Sequence, residues 1–302
     1  MRHYYNCLII SMLAVSLTGC PGGDDDGVSL QDRYNQAQAI GNAGTRANQL
    51  IDVARDFYAA GDSAGGQKAL DEAFEAAGEA EKPRDKAQAY NGVAAAEAEF
   101  GRQAKAEDAL KEARRAASSI EDAGLKVEQL AAIAVTYGTK LDDPSKASAY
   151  LDSAKEAAEG IADPAIRAEA IVDLAGSHHD LGQAKEAAAM LATATEAAKQ
   201  IEDPNKQAAA IGEVAAKATE MGAANAEELF DEAVSVAELI DDAAEKANRL
   251  ADLALEMHQA GDKAGAQALI KKATAASEQI TEQAFKSEVQ GKIDGYRNRM
   301  GG

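Results

Sequence analysis

The segment IEDPNKQAAAIGEVA (residues 201–215) aligns with IADPAIRAEAIVDLA (residues 161–175), which precedes it by 40 residues. Each begins with isoleucine, continues to an Asp-Pro pair, and has small or apolar residues 10, 13 and 14 positions after the isoleucine. Those spacings lie on one face of an α-helix. The alignment therefore predicts a helix that begins near Asp-Pro and is repeated along the chain.

The short segment that leads from the isoleucine into the helix, which we call the joint, recurs together with the helix at a period of about 40 residues. A turn, usually at glycine, follows each such helix, and a second helix then carries a large apolar residue with an alanine three positions later. We name the first helix of each unit helix A and the second helix B. The units begin at Ile40, Ala80, Ile120, Ile161, Ile201, Ile240 and Ile280.

This pattern predicts an all-α fold of six helical hairpins with a half unit at each end. Residues 29–39 are predicted to form an isolated helix B, and residues 281–299 a final helix A. The final helix is the more polar terminal cap that solenoids need for solubility. The chain is rich in alanine and has no tryptophan, which favours closely packed helices with small side chains over a compact core.

The Asp-Pro dipeptide is interpreted as a helix-start signal. Aspartate accepts backbone N–H bonds as an N-cap, and proline suits the first helical position because its missing N–H would be unpaired there. Asp-Pro stands before helix A at residues 163–164 and 203–204, but before helix B at residues 143–144. A catalytic dipeptide would have no reason to occur at two kinds of joint.

The fourth unit resembles the tetratricopeptide-repeat (TPR) family. Ala175, Gly182, Ala187, Leu191 and Ala194 have that family's spacing of small residue, turn glycine, alanine, large apolar residue and alanine. The period of about 40 exceeds the 34 residues typical of the family, and the family's early tryptophan is absent. The resemblance implies a right-handed α-solenoid whose helices A line a concave groove, with longer helices or joints than usual.

In the TPR family, exposed positions of helix A in this groove bind peptides. The matching positions here carry alanines, amides and hydroxyls with few charges, so we expect hydrogen bonds to a peptide backbone and an aromatic anchor at Tyr58. Arg55 alone could bind a terminal carboxylate, which argues against the basic clamp of some TPR adaptors. The candidate binding residues are Asn48, Arg55, Tyr58, Gln88, Asn91, Gln129, His179, Asn248 and His258.

The N-terminus is predicted to be a bacterial lipoprotein signal. Arg2 precedes an apolar run of about 11 residues, which is too short to span a membrane and typical of a signal peptide. The following LTGC (residues 17–20) resembles the lipobox, in which cleavage leaves a lipidated cysteine, here Cys20. An ordinary cleaved signal with an incidental cysteine is the alternative.

Three segments follow from these features. Residues 1–19 form the signal peptide, residues 20–28 the lipidated cysteine with an acidic tether, and residues 29–302 the solenoid. Since Pro21, and not aspartate, follows Cys20, the enterobacterial sorting rule favours the outer membrane. We therefore expect a lipid-anchored protein of the cell envelope that contacts the membrane only through its lipid.

Composition and motifs exclude several function classes. Acidic residues outnumber basic ones by 51 to 31, which argues against nucleic acid or anionic lipid headgroups as partners. P-loop, HExxH, GxSxG, CxxC and GxGxxG patterns are missing from the sequence. His179 and His258 lie two repeats apart and cannot share a metal ion, and most carboxylates are expected on solvated outer faces.

The sequence therefore favours a scaffold that binds a protein or a peptide, without a cofactor, a small-molecule substrate or an enzymatic activity. Two alternatives remain. A self-associating structural protein of the envelope would be favoured by an exposed apolar patch on the terminal helix. An enzyme would require a pocket with titrating groups of perturbed pKa.

The lipid anchor is tested by Cys20→Ser. Because the sulfur of Cys20 is the predicted attachment atom, the variant is expected to move from the membrane fraction to the soluble fraction after cell lysis. Fractionation followed by immunoblotting measures the distribution, and Ser16→Ala serves as a matched control outside the LTGC motif. Unchanged membrane retention of Cys20→Ser would refute the lipoprotein prediction.

Overall fold

A computed structural model describes residues 28–301, which form fourteen α-helices. The predicted signal peptide, Cys20 and most of the tether lie outside these residues. The helices are α1 (Leu30–Gln38), α2 (Ala43–Ala59), α3 (Ser63–Glu79), α4 (Pro83–Glu99), α5 (Gln103–Ser118), α6 (Ala123–Lys140), α7 (Pro144–Glu159), α8 (Pro164–Asp180), α9 (Ala184–Ala198), α10 (Pro204–Glu220), α11 (Ala226–Ala237), α12 (Ala243–Gln259), α13 (Lys263–Glu278) and α14 (Gln283–Arg299).

Six hairpins, from α2–α3 to α12–α13, form an all-α, TPR-like solenoid, and this confirms the predicted fold class. Each helix A packs against its own helix B and against the helix A of the next unit. Most helices A have 17 residues, so the long period reflects long helices. None of the helices between residues 28 and 301 is long and apolar enough to cross a membrane.

The contacts between units place helices A on the inside of the curve. Consecutive helices A, such as α6 and α8, pack along one another, whereas consecutive helices B do not pack to a comparable extent. Units are therefore closer together on the side of helices A than on the side of helices B. We call the surface of α2, α4, α6, α8, α10 and α12 the concave wall, and the surface of the helices B the convex face.

Alanine permits the close packing of each hairpin. The alanine of helix A that follows its buried aliphatic residue has no exposed surface in any hairpin, and the same holds for the alanine on helix B. Leu70 and its equivalents fill the space beside them, so the core is a continuous stack of small layers. The buried alanines are Ala54, Ala94, Ala134, Ala175, Ala215 and Ala254 on helices A, and Ala73, Ala113, Ala154, Ala194, Ala233 and Ala273 on helices B.

Aspartate caps begin the helices where the sequence predicts them. The carboxylate of Asp203 accepts a hydrogen bond from the backbone N–H of Lys206 at 2.9 Å, and Pro204 occupies the first helical position. Asp143 caps α7 in the same way, with a bond from the N–H of Lys146 at 2.9 Å. Because α7 is a helix B and α10 a helix A, the Asp-Pro joint is confirmed as a helix-start signal.

The turn inside each hairpin requires one residue of left-handed backbone conformation. Five hairpins supply glycine, as at Gly182, where φ is 70°. The third hairpin supplies Asp142, whose φ is 52° and which is the single non-glycine residue with positive φ between residues 28 and 301. Left-handed backbone is sterically costly for a residue with a Cβ, although aspartate tolerates it better than most.

The two terminal helices confirm the predicted half units. α1 packs on α2 as an isolated helix B, and α14 packs on α12 and α13 as a final helix A. Only Val289 and Ile293 of α14 are buried, while Phe285 is exposed. Each of the six helices A in the hairpins has a buried alanine at the position that Asp294 occupies in α14. Asp294 pairs with Arg297 at 2.6 Å.

The turn residues generate a stability prediction. A Cβ added at Gly182 would meet no atom within 4 Å, so Gly182→Ala tests the left-handed backbone alone. We expect it to destabilise the fold by about 1 kcal/mol, whereas Asp142→Gly stabilises it by about 0.5 kcal/mol.

Urea unfolding followed by circular dichroism at 222 nm measures both changes. Gly41→Ala is the control, because its Cβ also meets nothing within 4 Å and its φ is not in the left-handed region. Equal losses for Gly182→Ala and Gly41→Ala would contradict this account of the turn.

Candidate functional site: the concave wall

The concave wall is a continuous surface built from six parallel helices A. Asn48 on α2 and Gln88 on α4 are exposed on it, as the sequence predicts. Asn91, Asn248 and His258 are partly buried, and the side-chain oxygen of Asn91 is buried without a hydrogen-bond partner. Of these predicted residues, Asn48 and Gln88 are therefore the ones most accessible to a ligand.

Arg55 is held within the wall by two carboxylates. Its guanidinium lies 3.3 Å from Asp52 on the same helix and 3.4 Å from Glu99 on α4. This bridge links two units across the wall. The positive charge of Arg55 is therefore partly neutralised before any ligand arrives.

Tyr58 has a structural contact that the sequence prediction did not include. Its ring stacks on Phe100, the C-cap of α4, with centroids 3.7 Å apart and an interplanar angle of 14°. The same ring also lies against Gly66 on α3, where an added Cβ would be 2.5 Å from it. Tyr58 thus joins two hairpins near their turns, and much of its ring is not free for a ligand.

Gln129 does not line the wall, and the prediction that it does is wrong. Only 3% of its surface is exposed, because this position of α6 faces the neighbouring helices. Glu128, one residue earlier, is at the position equivalent to Asn48 and Gln88. The error is a one-residue shift in the helical register, which turns a side chain by about 100°.

The histidines are dispersed. His179 is exposed near the turn of the fourth hairpin and His258 is partly buried in the sixth, so the structure does not bring them together. His178 contacts Gln183 through Nδ1 at 2.6 Å, across the hairpin turn. Among residues 28–301, no group of three or more His, Cys, Asp or Glu side chains is arranged to hold a metal ion.

Carboxylates dominate the middle of the concave wall, so the expectation of a wall with few charges is also wrong. Glu128, Glu169, Asp173 and Glu213 come from three successive helices A, α6, α8 and α10. Glu169, Asp173 and Glu213 have no ion pair or side-chain hydrogen bond with the residues that the structure describes. The wall is therefore amide-rich in its first two units and acidic in its centre.

Two of these carboxylates, Asp173 and Glu213, have raised pKa values because the wall desolvates them and neighbouring carboxylates repel them. Desolvation by the surrounding wall, followed by repulsion from Glu169 and Glu128, raises the pKa of Asp173 to about 6. Desolvation also raises the pKa of Glu213, and that of Glu256 on α12 to about 7. Asp173 is an exposed residue by accessible surface, although protein atoms around its carboxylate still desolvate it.

A hollow of about 150 Å³ lies in the acidic part of the wall, between α6 and α8. Its lining combines carboxylates, among them Glu128, Glu169 and Asp173, with the apolar side chains Leu125 and Ile166. Ile166 is 45% exposed, which is unusual for a large aliphatic residue of this chain. The hollow can receive one side chain with an apolar stem and a polar end.

The carboxylates Glu128, Glu169, Asp173 and Glu213 form an acidic stripe along the wall, and this stripe could have been found in the sequence. The candidate residues follow a path 8, 11, 15 and 18 positions after the start of a unit, as in Asn48, Arg55 and Tyr58. The structure shows that position 11 is buried in unit one, at Ile51, whereas position 12 is exposed, at Asp52. Position 12 is also Asp173 and Glu213, and reading the sequence along positions 8 and 12 shows the stripe.

Comparisons with known proteins do not assign this chain to a family. No family model matches the chain, and no curated protein matches it significantly. Ton1535 from Thermococcus onnurineus NA1 is 13% identical with a TM-score of 0.43, over 86% of this chain and 94% of that one.

Two further solved structures contain comparable helical arrays. A signal-transduction ATPase with a tetratricopeptide-repeat sensor from Pyrococcus horikoshii is 19% identical with a TM-score of 0.35, over 91% of this chain but 39% of that one. A Rap protein in complex with competence and sporulation factor is 15% identical with a TM-score of 0.34, over 89% and 80% of the two chains. These TM-scores lie below 0.5, so the fold assignment rests on the chain's own helix pairing and period.

The carboxylate cluster generates a pH-dependent stability prediction. Since the pKa of Asp173 is raised to about 6, the folded chain holds this proton more tightly than the unfolded chain does. Ionised Asp173 therefore destabilises the fold above about pH 6, and the destabilisation disappears as the pH falls towards about 4. Asp173→Asn removes the charge, and we expect its melting temperature to exceed that of the wild type by about 1–2 °C at about pH 7.

Thermal unfolding at several pH values measures this difference, which is expected to vanish near pH 4. The control is Asp152→Asn, an exposed aspartate on α7, which should leave the melting temperature unchanged at both pH values. A difference for Asp173→Asn that does not depend on pH would rule out the electrostatic explanation.

Proposed function

We propose that this protein is a lipid-anchored scaffold of the bacterial envelope that binds a segment of another protein along the concave wall. The observation that carries the proposal is the wall itself, because six helices A present an uninterrupted surface that no other part of residues 28–301 covers. TPR-like solenoids offer such extended surfaces to partners. The proposal assigns no catalytic step to the chain.

The chemistry of the wall suggests how a partner segment is held. Exposed amides such as Asn48 and Gln88 can donate to and accept from a peptide backbone. The unpaired carboxylates of α8 and α10 favour lysine or arginine in the partner over acidic residues. Ile166 in the neighbouring hollow provides an apolar contact for the stem of a long side chain.

The membrane anchor in this proposal rests on the LTGC sequence that ends at Cys20. Lipidation at that cysteine would fix the solenoid to a membrane surface through a short acidic tether, and Pro21 favours the outer membrane. Anchoring raises the local concentration of the scaffold near envelope partners, which strengthens weak binding without new contacts.

Self-association is less well supported by the terminal helix. α14 exposes one large apolar side chain, Phe285, but a further helix B would have to pack over Asp294. An ion pair with Arg297 occupies that position in place of the usual buried alanine. Stacking a second copy on this end would bury both charges at a cost in free energy.

Site-specific photo-crosslinking in the native envelope tests the proposed function. A photoreactive amino acid introduced at Asn48, Gln88 or Glu169 should capture a partner on the concave wall. The matched controls, exposed on helices B away from α5 and α7, are Ala188 on α9 and Asp231 on α11. We expect a specific adduct of defined mass from the first set and at least tenfold less of that adduct from the second. Identical adducts from both faces, or none from the wall, would contradict the proposal.

A further inference from the structure

A cleft of about 610 Å³ opens on the convex face between α5 and α7, with α6 as its floor. It exists because consecutive helices B diverge where consecutive helices A touch. The volume lies within the range of sites that bind small molecules and short peptide segments. The residues that matter for its chemistry are Arg114, Lys126, Leu130, Tyr137, Lys146 and Tyr150.

The charge of this cleft is opposite to that of the molecule. Its lining includes three cationic side chains and no carboxylate, although the whole chain has a net charge of −20. Lys146 is paired with Glu107 at 2.7 Å and with Asp143 at 3.4 Å. Arg114 and Lys126 form no ion pair and no side-chain hydrogen bond with residues 28–301, so two cations remain available.

The floor and one side of the cleft are apolar and aromatic. Tyr137 and Tyr150 stack with ring centroids 5.3 Å apart and an interplanar angle of 9°. Tyr137 is buried, whereas Tyr150 is partly exposed and presents its ring to the cleft beside Leu130. The Nζ atom of Lys146 lies 4.9 Å from the centre of the Tyr137 ring, which keeps the aromatic pair in place.

The residues that line the cleft differ from the residues at the equivalent positions of the preceding unit. There the equivalent positions hold Phe74 and Tyr90, whose rings meet edge to face with centroids 5.0 Å apart. The opening that Tyr90 lines in that unit is smaller, about 290 Å³. Forty residues later, Arg114 replaces the phenylalanine and Leu130 replaces the tyrosine. The exchange replaces an aromatic pair with an unpaired cation and an aliphatic side chain.

We propose that the cleft between α5 and α7 binds an acidic peptide segment of a partner protein. Carboxylates of the segment pair with Arg114 and Lys126, and an aromatic or aliphatic side chain packs on Leu130 and Tyr150. An inorganic anion alone would leave this apolar floor exposed to water, and a nucleic acid would be repelled by the acidic chain. The site is on the face opposite to the concave wall, so it is a second docking site with the opposite charge preference.

The absence of tryptophan from the chain gives a direct assay. The probe is the blocked peptide Glu-Glu-Trp-Glu-Glu, titrated with the full-length protein while tryptophan emission is recorded. We expect a blue shift and saturable binding that weakens as the salt concentration rises. The comparison peptide Gln-Gln-Trp-Gln-Gln keeps the apolar group without the charges and should bind at least tenfold more weakly.

Two variants identify the site. Arg114→Ala combined with Lys126→Ala should weaken binding of the acidic peptide at least tenfold. Arg114→Phe combined with Leu130→Tyr introduces the aromatic pair of the preceding unit, removes one cation and should abolish binding. Lys155→Ala is the matched control, because Lys155 occupies on α7 the position that Arg114 has on α5 and pairs with Glu159 at 3.8 Å.

Several results would overturn this inference. These are no binding of the acidic peptide, equal binding of both peptides, equal losses for the Arg114 variant and Lys155→Ala, or full displacement by inorganic phosphate at constant ionic strength. Substitution of Asn48 and Gln88 with alanine should leave binding of the peptide unchanged. Failure at the cleft is thus distinguishable from failure at the concave wall.

Discussion

The close approach of two helices at alanine is the constraint on which this solenoid depends. Ala54 and Ala73 have no exposed surface, and their equivalents recur in every hairpin. The distance between packed helices is set by the side chains at the contact, so alanine keeps the layers thin and the period regular. A larger residue at one such point would separate its two helices and displace every unit beyond it. The low aromatic content of the chain follows from this geometry.

The sequence predicts most of the architecture because each repeat presents the same signals again. Asp-Pro marks where helices begin, glycine marks the turns, and a fixed apolar spacing marks the buried face. Because the joint occurs seven times, a helix start that is uncertain in one unit can be assigned from the same position in the other units. Even the exception at Asp142 is recognisable, since its position in the period is that of a turn glycine.

The functional surface is predicted less completely, and the reasons are physical. A shift of one residue on a helix turns a side chain from the wall into the core, as Gln129 shows. Contacts between units also depend on pairs of residues about 40 positions apart, such as Tyr58 and Phe100, whose rings stack. The repulsion among Glu169, Asp173 and Glu213 has the same origin, because each comes from a different turn or helix. Periodicity within one unit does not contain this information.

Two local regions of the solenoid differ in charge. Carboxylates lie in the middle of the concave wall, while Arg114 and Lys126, which form no ion pair with residues 28–301, line the cleft beside Tyr150. Both features sit on helices whose other faces form the core, so they can differ between units without disturbing the stack. The amide-rich, acidic and cationic regions are therefore local variations on one repeated frame.

The spacing between units differs on the two sides of the array, and helices A connect these two sides. Consecutive helices A are in contact along the concave side, whereas consecutive helices B are separated by clefts. Each helix B also packs on the helix A of the next unit, so helices A are shared between the two faces of the array. A ligand bound between α5 and α7 would contact α6 at the floor of the cleft, and another side of the same helix forms part of the concave wall.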